Sequence, residues 1–94
     1  MSNRIFEIVV GNRTFDMIYI RVVDMETRRR EKGTWPIGLT RGSANLSVIA
    51  MAFIDIKRNF PDVMISAAAV SEIEAVLTDV DLTKTLSNYK IGIV

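Results

Sequence analysis

Hydrophobic residues recur along the chain in two rhythms, and the change from one to the other predicts its elements. At the start Ile5, Phe6, Ile8, Val9 and Val10 crowd residues 4–10 with β-branched and aromatic side chains, and the run stops at Gly11-Asn12. That pair tolerates positive φ, so it predicts a turn between two strands. In the second strand, 14–23, Phe15, Met17, Tyr19 and Val23 alternate with Ile18, Ile20 and Val22, which makes both faces largely apolar.

Between residues 42 and 61 the period lengthens. Ser43 and Asn45 supply start signals and Pro61 a stop, so a helix of about four to five turns is expected. Leu46, Ile49, Ala50, Phe53 and Phe60 form one stripe at helical spacing, whereas Val48, Met51, Ala52 and Ile54 occupy much of the remainder. Such a helix asks for cover on two sides. One sheet supplies one cover, and a second copy of the chain is the expected other, with Val48, Met51, Ala52 and Ile54 as the oligomer interface.

The other stretches are shorter. Residues 24–33 carry charge without a core-facing period and predict a protruding loop or hairpin end. Trp35, Ile37 and Leu39 then mark a short edge strand, because Pro36 lacks a ladder donor. Val63, Met64 and Ile65 favour a strand over 63–69 against the helical preference of Ala67, Ala68 and Ala69. Ser71-Glu72-Ile73-Glu74 has the form of a capping box, which predicts a helix over 72–80 with Ile73, Val76, Leu77 and Val80 inward. Residues 81–89 read as a short helix or a loop, and 90–94 as a final strand. The order β-β-(β)-α-β-α-β defines an α+β fold: one domain over 1–94, a mostly antiparallel sheet of four to five strands, and two helices on one face.

Composition narrows the chemistry. The chain has 94 residues, no cysteine and no histidine. Disulfides, thiolate chemistry and the commonest general base and nitrogen ligand are therefore absent, and no catalytic residue, metal site or cofactor is expected. The N-terminal residues lack the basic and apolar regions of a signal peptide, and the longest apolar run falls far short of a membrane span, so a cytoplasmic protein that does not enter membranes is expected.

Charge adds two poles to this picture. Residues 28–41 hold five basic residues and one acidic, whereas 61–81 hold five acidic and none basic. Arg28, Arg29, Arg30 and Lys32, with Trp35 nearby, have the makings of a contact arm for a macromolecular partner. The bland reading is a solvated loop beside a core tryptophan. The approach to the helix, through Arg41, Gly42 and Ser43, offers an anion cup of free amides plus a fixed charge, although an ordinary capped helix start explains the same residues. Asp62, Glu72, Glu74, Asp79 and Asp81 read as a solvated acidic arc able to receive a basic segment of another copy. Tyr19 and Tyr89 read as core-edge aromatics.

These features together favour a small non-enzymatic interaction protein of regulator or inhibitor type, self-associating as a dimer and binding a protein or nucleic acid through the basic arm. Direct RNA or DNA binding by the same arm and capture of a phosphorylated small molecule at the helix start are the competing expectations. If the arm binds nucleic acid, affinity for an oligonucleotide falls steeply with added salt, and replacing Arg28, Arg29 and Arg30 together by Ala abolishes it. Absence of any salt-sensitive complex in a fluorescence-anisotropy titration removes that reading.

Overall fold

A computed structural model of the chain describes residues 5–26, 30–77 and 81–94, with Arg30 described in its backbone alone. Strand β1 (Phe6–Arg13) pairs antiparallel with β2 (Met17–Asp24), from Phe6↔Asp24 to Val10↔Ile20. The reversal falls later than expected. Thr14 donates its amide to the Met17 carbonyl at 2.8 Å, and its Oγ1 accepts from the amides of Asp16 and Met17. Residues 14–16 thus make the turn by hydroxyl-to-backbone bonding, and Gly11-Asn12 lie inside β1, at a register shift between Val10 and Arg13. Gly11 serves close approach instead: the Arg21 side chain crosses directly over it, and a Cβ at this position would push the guanidinium aside.

The third strand is longer than its apolar anchors predict. β3 (Arg30–Gly38) pairs with β2 from Met17↔Gly38 to Asp24↔Arg30, with a register shift between Val22 and Val23 that leaves Lys32 as the extra residue. Of segment 24–33, Asp24 and residues 30–33 thus lie in the β2–β3 pair, and 27–29 lie outside the described residues. β4 (Met64–Ile65) joins β1 in parallel, and β5 (Gly92–Ile93) joins β4 in parallel, which completes the order β3-β2-β1-β4-β5. The sheet is mixed, with its three long strands antiparallel. Parallel neighbours need a crossover, and helices supply both: α1 (Leu46–Asn59) leads into β4, while α2 (Ala67–Val76) and α3 (Leu82–Asn88) lie between β4 and β5.

Three helices, one more than expected, cover one face of the sheet. Ile8, Ile18, Ile20, Val22, Ile37 and Ile65 meet Ile49, Phe53 and Ile56 of α1, Ala69, Val70 and Ile73 of α2, and Leu82 and Leu86 of α3 in a single buried cluster. On the opposite face Val9, Tyr19, Arg21 and Met64 are only half-buried.

The second helix begins five residues before the expected cap. Ser66 is the N-cap, with its hydroxyl accepting from the Ala69 amide at 3.0 Å. The three alanines form the first turn, so helix propensity prevails after the β-branched pair ends at Ile65. Ser71 lies within the helix and is exposed. Glu74 does not reach back to it; its Oε2 accepts from the Leu82 amide at 3.2 Å and serves the next helix. Leu77 is already extended, and Asp79 and Val80 lie outside the described residues. Within 81–89, Leu82–Asn88 resolve as helix. Asp81 caps α3 by accepting from the Thr83 hydroxyl and amide, two bonds that hold its carboxyl below the usual aspartate range. The far end closes in a Schellman motif: Ile91 N donates to Leu86 O, Lys90 N donates to Ser87 O, and Lys90 sits at φ 57°.

Two serine substitutions separate the observed cap from the expected one. Ser66→Ala lowers stability by about 1 kcal/mol in urea unfolding, whereas Ser71→Ala leaves it nearly unchanged. Equal losses would contradict the assigned helix start.

Candidate interaction surface

Helix α1 takes its position from Asn45, whose side-chain Oδ1 accepts from the Ser47 amide at 2.9 Å. At 100° per residue, Ile49, Ala52, Phe53 and Ile56 fall on one side and are buried. Ala52, expected at an oligomer interface, is only 7% exposed and belongs to the core. The other three members of that set point outward: Val48 is 45% exposed, Met51 70% and Ile54 41%. Met51, Ile54, Asp55 and Arg58 line an open groove along this outer side.

One margin of the groove is fixed by the sheet. Trp35 on β3 donates its indole N–H to Asp55 Oδ2 at 2.7 Å, and its ring meets Phe60 edge-on, with centroids 6.5 Å apart and planes at 81°. Phe60 in turn contacts Phe6 at 5.0 Å. Gly33 leaves room for the indole, since a Cβ there would come within 2.8 Å of it. Trp35 is therefore half-buried at the edge of the core and tied to α1. Lys32 is exposed, Arg30 belongs to β3, and Arg28 and Arg29 lie outside the described residues. Next to them Arg21 pairs with Glu31 across β2 and β3 at 3.3 Å.

The approach to α1, read as a capped helix start or an anion cup, is an internally bonded turn followed by a cap. Thr40 and Ser43 exchange backbone bonds of 2.8 and 3.0 Å around Arg41 and Gly42, which stand at φ 53° and 76°. Two consecutive positive φ values define the tight primed turn of a hairpin. The Ala44 amide donates to Val76 O at 2.9 Å, and the Ser47 amide is capped by Asn45. Arg41, Gly42 and Ser43 thus lie in a turn that commits the amides of Thr40, Ser43 and Ala44 internally, with the Arg41 side chain exposed. The acidic arc also divides: Glu74 and Asp81 serve helix starts, Asp62 and Glu72 are exposed, and among the described residues no three acidic side chains gather to hold a metal ion. Tyr19 is half-buried on the open sheet face opposite Pro36, and Tyr89 packs against the core as the C-cap of α3.

Phe15, placed by the pattern in the second strand, falls outside it. It is 70% exposed in the turn before β2, where its ring lies over Gly42 with room for a Cβ at only 3.5 Å. Its neighbours Thr14 and Asp16, both turn formers, were the available signal. Comparison of the chain with protein-family models, with curated proteins and with solved structures returns no match.

The indole–carboxylate bond joining β3 to α1 is open to direct measurement. Asp55→Ala lowers stability by about 1 kcal/mol and shifts the emission of the single tryptophan to longer wavelength. Asp55→Asn, which keeps an oxygen acceptor, changes both less.

Proposed function

We propose that this chain is a small non-enzymatic interaction protein, of regulator or inhibitor type, which self-associates through the outer side of α1 and engages a macromolecular partner with the basic end of the β2–β3 hairpin. The observation that carries the reading is the exposure of Val48, Met51 and Ile54 together on a helix whose opposite side is fully buried. Contiguous apolar surface rimmed by charge is what association sites present.

The β3 edge of the sheet is a poorer place for a second copy. Ser66 N donates to Ile8 O, which turns the Ile8 backbone groups toward β4. Strand alternation and the observed registers then send the backbone groups of Thr34, Pro36 and Gly38 to the outer edge of β3. Pro36 has no N–H, so the middle of that edge cannot donate, a device that opposes edge-to-edge pairing. The groups needed for most acid–base and nucleophilic catalysis, His and Cys, are missing from the sequence, and this favours binding over chemistry. The lack of cysteine also fits a cytoplasmic setting, and among the described residues no helix is long and apolar enough to cross a membrane.

Size-exclusion chromatography with light scattering tests the assembly. Wild-type protein is expected near twice the chain mass of 10.6 kDa at micromolar concentration, and Met51→Glu near the single-chain mass with its melting temperature retained. A monomeric wild type rejects self-association.

A further inference from the structure

We propose that two copies of α1 meet antiparallel across a two-fold axis near Ile54, with Arg58 of each chain paired to the partner's Asp55; this arrangement rests on the self-association reading above. The groove carries one acid and one base, three residues apart, next to Met51 and Ile54. Asp55 commits Oδ2 to Trp35, which holds the carboxylate at a fixed angle, while Oδ1 has no partner among the described residues. Arg58 forms no ion pair among the described residues either. An i,i+3 bridge within the helix is open to these two side chains and is not made.

A symmetric interface presents the same patch twice, so residue i meets j and j meets i. With the two helices antiparallel and the axis between Ile54 and Asp55, each Arg58 is about four residues, roughly 6 Å, along the axis from the partner's Asp55, within reach of its long side chain. Its aliphatic stem crosses the groove at Met51 while the guanidinium reaches the carboxylate. Parallel helices would instead set Asp55 against the partner's Asp55 and Arg58 against the partner's Arg58, and like charges facing each other oppose association. The charges therefore choose the antiparallel arrangement, and the apolar residues provide the contact. One 14-residue helix, about 21 Å long, offers a modest area, so the dimer is expected to be in the micromolar range rather than obligate.

Charge reversal reads this pairing. Arg58→Glu, which leaves the Trp35–Asp55 bond intact, and Asp55→Arg are each expected to weaken dimerisation about tenfold or more by light scattering. Equimolar mixing of the two variants is expected to restore a dimer, and the mixed species alone should regain near wild-type affinity. Circular dichroism and melting temperature establish that both variants are folded. Because the natural chain lacks cysteine, Ile54→Cys supplies an independent readout: a disulfide-linked dimer forms rapidly under mild oxidation, whereas Lys84→Cys, exposed on α3, gives only background cross-linking. If both charge variants dimerise like wild type, or Ile54→Cys cross-links no faster than Lys84→Cys, the antiparallel pairing is overturned while self-association stands. A monomeric wild type overturns both.

Discussion

Burial of one sheet face beneath α1 is the constraint on which the rest of the molecule depends. Ile18, Ile20 and Val22 of β2 and Ile8 of β1 have no exposed surface, and neither do Ile49, Phe53 and Ile56 opposite them. Each such side chain contributes about 1.5–3 kcal/mol when it leaves water, far more than the caps and ion pairs around it. A 94-residue chain has material for one such layer of helices over one sheet face. Consequently the outer side of α1 and the far side of the sheet both remain against solvent.

Those two surfaces differ because their polar residues are differently employed. On the sheet, Arg21 and Glu31 pair over Gly11 and spread across the open face. On α1, Asp55 is half used by Trp35 and Arg58 is unused among the described residues. The aromatic trio Phe6, Phe60 and Trp35 anchors the C-terminal part of α1 to the strands, so the groove beside Asp55 has a rigid wall. Rigidity at a contact surface reduces the ordering that association must pay for.

Much of this architecture was legible in the residues. The β1–β2 hairpin, the body of α1 and the α+β class follow from period and β-branching alone, and the outward set Val48, Met51 and Ile54 follows from the excess of apolar positions on one helix. Ala52 did not follow, because a small side chain at the border of a stripe reads equally well on either side. The turn at Thr14 was hidden by the stronger Gly-Asn signal, which here answers to the approach of Arg21, a long-range contact that local sequence does not encode. Ser71 and Glu74 imitated a capping box because the competing use of Glu74, at Leu82, lies outside the window in which a box is read. Trp35 reads either as a contact aromatic or as a cover for the core, and the second is what the structure holds; its bond to Asp55, twenty residues away, has no local signal.

The bond from the Ala44 amide to Val76 O has a mechanical consequence. It stitches the entrance of α1 to the exit of α2, and the bridge between Ala44 and Leu77 lengthens the seam. The turn bearing Arg41 and the C-terminal end of α2 are therefore joined at the start of α1. Helix α1 is thus held at its entrance by the end of α2 and at its exit by the rings of Phe6, Phe60 and Trp35.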